Sequence, residues 1–269
     1  MSCTLKELQN AEYEILCQFV DCCEKHSLNY LFDAGSVLGA VRHDGFIPWD
    51  DDIDVMMDYK SFKKFIRLMK KEPIEGLHLT WIDTEYQSPF PFAKLRKEGT
   101  YMPEKQYAGL KLHNGVWIDV FTYINRSNLP HIAMIQGELY CRYTKICWAF
   151  QRESGVNLGT EEPPDDKWYR FCHKAPGWLV AFIRKMLLFL VVLLGSEKSE
   201  YVLLTWWFTE KTRRVKKSFF EPVIKHKFED REFNIPENYD EALTFKYGDY
   251  MTPVKDETKI HTVYDDVIL

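Results

Sequence analysis

Four carboxylates fall within five positions: Asp50, Asp51, Asp52 and Asp54. Neighbouring carboxylates repel, and none can be buried unpaired without a heavy desolvation cost. Such density requires a positive partner, and a divalent metal is the economical one. In Asp52-Ile53-Asp54-Val55 charged and apolar residues alternate, the period of a half-buried strand. Ile53 and Val55 are expected to face the core, with Asp52 and Asp54 on the other face roughly 6–7 Å apart. Two carboxylates so placed suit Mg²⁺, with Mn²⁺ as the alternative, because these ions take hard oxygen ligands from carboxylate, phosphate and water. Paired metals about 3.5–4 Å apart are the usual clamp for in-line displacement at phosphorus. A solvated acidic loop would leave the alternation as coincidence. An EF-hand calcium loop needs Gly at its position 6 and Glu at position 12. Counted from Asp50, those positions hold Val55 and Ser61, so that reading fails.

The elements that must position these residues form an alternating pattern. Thr4-x-x-Glu7 is a capping box opening a helix over about 5–26. A strand at 29–32 leads to a Gly35-Ser36 turn and a helix at 36–43. The Asp-bearing strand follows at 53–57. Asp58 is a suitable N-cap for a helix at 59–71, whose Phe62, Phe65, Ile66 and Met69 share one face. Further strands are expected at 77–83, 92–96 and 116–123. From about 128 to 217 the pattern is helical, with a Gly/Pro-Pro loop at 155–166. Trp178–Leu194 is almost wholly apolar, but Arg184-Lys185 near its middle disfavour a membrane span. A buried helix or one lying on a membrane surface remains. Five basic residues in seven follow, Lys211, Arg213, Arg214, Lys216 and Lys217, the composition of a solvated helix face or of a patch for anionic headgroups. Asn238–Leu243 begins a short helix that stops at Gly248. The expected class is α/β (α+β): a mixed-sheet core over 1–127, a helical region over 128–217, and a segment over 218–269 that returns to the core.

The order Gly-Ser, helix, then Asp-apolar-Asp on a strand resembles the nucleotidyltransferase superfamily. That resemblance implies a third carboxylate on a neighbouring strand, and Asp119 in the β-prone run Val116–Phe121 is the match. A charge inside such a run is costly without a partner, and the metal site offers one. Leu38-Gly39-Ala40-Val41-Arg42, Gly45-Phe46-Ile47-Pro48-Trp49-Asp50-Asp51-Asp52-Ile53-Asp54, Phe92-Ala93-Lys94-Leu95 and the tail from Ile235-Pro236 through Tyr247-Gly248-Asp249-Tyr250 to His261 narrow it further. They resemble the LicD family, which includes bacterial phosphocholine transferases and is related to fukutin-type proteins. The resemblance implies a CDP-choline donor, release of CMP, and as acceptor a sugar hydroxyl of a lipid-linked surface glycan of teichoic-acid type. On that reading Asp52, Asp54 and Asp119 are the metal-holding and catalytic residues, Asp119 taking the hydroxyl proton. Backbone amides at Gly35 and Ser36 would cradle an anion. Arg42, Lys94 and Arg96 would neutralise phosphate oxygens, and Trp49 would face the quaternary ammonium. Asp51 and His261 complete the substrate-side candidates. Two alternatives stand: nucleotidyl transfer from an NTP, with CDP-ribitol as an alternative donor in the first reading, and a non-catalytic protein that kept the fold.

Composition sets the frame. At 269 residues, 46% apolar and 28% charged, the chain suits a globular protein with an ample core. A net charge of −5 implies no general affinity for nucleic acid. Seven Cys, an odd count with no Cys-x-x-Cys pair, point away from a disulfide scaffold and structural zinc. The N-terminus reads as a helix rather than a secretory signal. The expected location is cytoplasmic, peripheral at the inner face of a bacterial membrane.

Overall fold

The computed structural model describes residues 3–85, 87–104, 107, 110–151, 170–171, 174–205, 215–252 and 266–269. Helix α1 (Leu5–Lys25) opens on the expected capping box: the Thr4 side chain accepts from the Glu7 N–H, and Glu7 accepts from the Thr4 N–H at 2.8 Å. Its Leu8, Ile15, Leu16 and Phe19 are fully buried. β1 (Leu31–Phe32), α2 (Ala34–His43), β2 (Asp54–Asp58) and α3 (Tyr59–Lys71) follow. Asp58 caps α3 by accepting from the Ser61 N–H at 3.0 Å. Phe62, Phe65, Ile66 and Met69 are buried beneath it, each worth roughly 1.5–3 kcal/mol.

β3 (Leu77–Thr80), β4 (Ala93–Lys97) and the long β5 (Trp117–Asn125) complete a sheet of order β1-β2-β5-β4-β3. β2 runs parallel to β5 along one edge. The other edge of β5 is shared: residues 117–120 pair with β4 and residues 123–125 with β6 (Tyr201–Leu204). β7 (Val215–Lys216) extends the sheet beyond β6. Strand alternation splits the side chains between two faces. Val55, Leu95, Ile118 and Val120 join α1 and α3 in the main core, while Met56, Phe121 and Tyr123 pack with Val202 and Leu204 on the other.

α4 (Pro130–Gln151) and α5 (Gly177–Leu193) form an antiparallel pair. The Gln136 amide donates to the Val191 carbonyl at 2.7 Å, and Arg184 donates to the Cys147 thiol at 3.2 Å toward the other end. No helix among the described residues is long and apolar enough to cross a membrane. The expected helical pattern to residue 217 fails at β6. Val202, Leu203 and Leu204 are buried against the far half of β5, whose edge would otherwise lack backbone partners. Of the basic run, Lys211, Arg213 and Arg214 lie outside the described residues, while Lys216 pairs with Glu241 and Lys217 with Glu221. The C-terminal segment returns to the core through a hairpin, β8 (Val223–Phe228) and β9 (Arg231–Pro236), that buries Phe228, Phe233 and Ile235. α6 (Tyr239–Tyr247) ends at Gly248, whose φ of 70° suits glycine.

Candidate active site

The acidic loop is held from three sides. Gln9 of α1 donates its side-chain amide to the Asp50 carbonyl at 2.9 Å. Gly39 of α2 lies so close to the Gly45 carbonyl that an added Cβ would stand 2.5 Å from it. Glu229, at the turn of the C-terminal hairpin, donates its N–H to the Asp44 carbonyl at 2.7 Å and accepts from the Phe46 N–H at 3.3 Å. The chain then enters β2 as expected, with Ile53 and Val55 fully buried. Asp52 and Asp54 are half-buried on the opposite face. The Asp54 N–H donates to the Ser36 hydroxyl at 2.8 Å, which ties the small-residue turn to the strand. The turn itself is strained: Ala34 takes a left-handed φ of 49°.

Asp54 stands opposite Asp119 in the parallel β2–β5 register, and Asp119 stands opposite Lys94 in the antiparallel β4–β5 register. Residues directly opposite share a face, so two carboxylates and an ammonium lie abreast across three strands. Burial, then the charges of Asp52, Asp119 and Asp33, push the Asp54 carboxyl well above its usual range, with Lys246 opposing. Burial pushes Asp119 up to about 6 against the pull of Lys94, whose ammonium is 3.5 Å away. Burial, reinforced by Asp52 and Asp51, takes Asp50 up to about 8. Asp51 is 2% exposed, and neither of its carboxylate oxygens has a hydrogen-bond partner among the described residues.

The donor set is all oxygen and anionic, which fits a hard divalent cation. As they stand, no three His, Cys, Asp or Glu side chains among the described residues are gathered closely enough to hold one. On the expected ligand set, capture of an ion would have to draw the side chains of Asp52, Asp54 and Asp119 together.

The remaining expected residues are placed as follows. Gly35 lies under Asp50, one of whose carboxylate oxygens stands 2.8 Å from where a Cβ would be. The Ser36 N–H is already committed to the Asp33 carbonyl. Arg42 donates to the Tyr250 carbonyl at 2.7 Å and to His43 at 2.9 Å, anchoring the C-terminal segment beside Asp50. Trp49 is half-buried, packed on the core and edge-on to His43. Lys94 and Arg96 both turn to Glu104, at 2.8 Å and 2.5 Å, and Lys94 sits between the Trp117 and Phe90 rings at 4.0 and 4.5 Å. His261 lies outside the described residues.

Sequence reading missed four residues. Glu104, held below its usual range because Lys94 and Arg96 outweigh its burial, neutralises the cations flanking Asp119. Glu12 of α1 is 1% exposed, and one of its oxygens has no partner among the described residues. Burial, then Asp52, Asp51, Asp50 and Asp119, push its carboxyl well above the usual range. The signal was available, since Glu12 stands four residues from both Leu8 and Leu16 on the core-facing stripe of α1. From α6, Lys246 bears on Asp54, and Tyr247 lies within the field of Asp33, Asp54, Asp50 and Asp52.

Residues 27–132 match the family model described as LicD/FKTN/FKRP, nucleotidyltransferase domain. That span contains Asp50–Asp54, Lys94 and Asp119. Over its whole length the chain is similar to the lipopolysaccharide cholinephosphotransferase LicD of Haemophilus influenzae, at 29% identity over 270 residues, 99% of this chain and 98% of that protein. An uncharacterized protein of Rickettsia prowazekii is 40% identical over 43 residues, 16% of each chain.

Proposed function

We propose that this chain, whose residues 27–132 match the LicD/FKTN/FKRP nucleotidyltransferase domain, is a cholinephosphotransferase of that family. It moves phosphocholine from CDP-choline to a sugar hydroxyl of a lipid-linked surface glycan and works at the inner face of the membrane. The observation that carries this reading is the row of Asp54, Asp119 and Lys94 abreast on three strands, inside a chain similar along its length to a protein with that named activity.

Asp52, Asp54 and Asp119 would hold the divalent cation. When bound, Mg²⁺ or Mn²⁺ supplies charge neutralisation and orientation of the donor diphosphate. Asp119, near neutrality at about 6, accepts the proton of the acceptor hydroxyl. That oxygen forms its bond to the choline-bearing phosphorus while the bond from that phosphorus to the bridging oxygen breaks, and CMP leaves with the electron pair. Lys94, 3.5 Å from Asp119, keeps that carboxylate from rising further. Gln9, Glu229 and Ser36 hold the loop and strand rigid, which is what positioning a diphosphate requires. Tyr247, 41% exposed and beside the carboxylates, is better placed than Trp49 to offer a ring face to the trimethylammonium.

A second reading, nucleotidyl transfer from NTP, is favoured by the matched domain's own description. Incubation with a glycan acceptor separates the two. CMP release from CDP-choline supports the first, diphosphate release from CTP or ATP the second, and neither product under any metal would overturn both. Thermal stabilisation by CDP-choline against CDP-ribitol, each with and without Mg²⁺, identifies the donor alcohol.

A further inference from the structure

We propose that the exposed face of α5, with the adjoining end of α4, docks this protein on an anionic lipid bilayer. α5 is apolar on two faces. Val180, Leu187, Leu188 and Val191 are buried with Arg184, whereas Trp178, Phe182, Met186, Phe189 and Leu193 are 72%, 59%, 42%, 57% and 63% exposed. Those five recur at intervals of four, four, three and four, so they form one stripe along a helix of about 25 Å. The antiparallel pairing brings the Leu193 end of α5 beside the start of α4, where Leu129, Met134 and Ile135 are also exposed. Eight of the seventeen large apolar side chains exposed among the described residues thus lie on this one hairpin. Scattered apolar residues need no explanation, but a stripe of this kind does.

Charge selects the occupant. Residues 170–217 carry ten Lys and Arg against three Asp and Glu, while the rest of the chain carries 25 against 37. Around the stripe, Lys174, Lys185 and Lys198 are exposed before it, within it and beyond it, with Lys185 shared with Asp83. An open cavity of about 1130 Å³ beside the start of α4 adds Arg126, Arg142 and Lys198 next to Met134 and Ile135, with Glu138, which pairs with Arg142, and Glu200 also on its wall. Aromatic and aliphatic residues on one helix face with cations around them is the composition of an interfacial helix lying in the headgroup plane. Self-association through this face would set the exposed Lys174, Lys185 and Lys198 against their own copies, so an anionic bilayer is the better complement. The inference rests on the proposed lipid-linked acceptor only for its purpose, because binding is read without substrate.

The test is co-sedimentation of the full chain with phosphatidylcholine vesicles, with and without phosphatidylglycerol. Binding is expected with the anionic vesicles, weaker in high salt, and reduced roughly tenfold or more in Phe182→Asp/Phe189→Asp. That variant should melt as the parent does and release CMP equally fast with a soluble acceptor. Should it misfold, Phe182→Ser/Phe189→Ser takes its place. A parent that stays in the supernatant with anionic vesicles, or a variant that pellets like the parent, overturns the docking face. So does a light-scattering mass that falls from dimer to monomer in the variant, which makes the stripe a self-interface. Vesicle binding without CMP release would leave the docking face standing and sink the catalytic reading instead.

Discussion

On one side of Asp119, Lys94 and Arg96 converge on Glu104, and the three side chains are 4%, 1% and 9% exposed. On the other side, Glu12, Asp50, Asp51, Asp52 and Asp54 crowd together with one sign of charge. Both clusters are at least half-buried and both sit at the same end of the sheet. The first is electrically closed: each cation has its carboxylate, and Glu104 stays ionised despite its burial. The second is open: burial first, and then the neighbouring carboxylates, push Glu12, Asp50 and Asp54 upward. Folding alone explains the first, since buried charges survive when paired. The second has no such balance of its own, and in the proposed function a bound cation would complete it; that difference separates framework from proposed active site.

The largest expected effect breaks the closed cluster. Glu104→Gln leaves Lys94 and Arg96 without their shared carboxylate in a buried place, which costs about 3–5 kcal/mol when one partner of such a pair is removed. Urea or thermal unfolding should show that loss at neutral pH. A variant as stable as the parent would mean the cluster is more hydrated than its burial indicates. Asp54→Asn should do the reverse: turnover falls about 10³-fold through loss of several kcal/mol of transition-state charge stabilisation, while the metal-free protein becomes no less stable. An unfolded Asp54→Asn would assign Asp54 to the framework.

The open cluster also predicts a pH dependence. Carboxyls raised in the folded state are protonated there at a pH where the unfolded chain, near 4, is already ionised. The stability they contribute is present below that pH and is lost as pH climbs through about 6 for Asp119 and about 8 for Asp50. Metal-free protein should therefore melt lower at pH 8 than at pH 5. Mg²⁺ should restore part of the difference at pH 8, because its ligands must be deprotonated to bind, by about 2.7 kcal/mol at a hundredfold excess over Kd. A flat melting profile without metal would remove the electrostatic case for a cation.

Much of this site was legible because it is local. The Asp-x-Asp alternation and the Asp58 cap each act within a few residues and the structure keeps both, whereas Gly35 and Ser36 lie inside the first turn of α2 rather than in a turn before it. Asp119 was found only through resemblance, because its pairing with Asp54 joins residues 65 positions apart. Glu104 precedes a stretch without periodicity, and nothing local marks it as the partner of Lys94 and Arg96. β6 hid in an apolar segment too short to tell strand from helix by period, and its identity depends on a free edge of β5 that only the assembled sheet provides.

Glu12 gives the smallest and sharpest test of the contrast. Its carboxyl is raised well above the ordinary range by burial and four aspartates, whereas glutamate in the unfolded chain titrates near 4.3. At low pH both states are protonated, and Glu12→Gln changes little. As pH rises the parent loses the stability that Glu12 contributed, but glutamine does not titrate. The variant's advantage in metal-free buffer should therefore grow with pH, by about 1.4 kcal/mol for each unit separating the folded and unfolded values. Melting curves of both proteins between pH 5 and pH 8 read this directly. A constant destabilisation at every pH would mean that Glu12 accepts a hydrogen bond the fold needs, as Glu104 does, and would move it from the open cluster to the closed one.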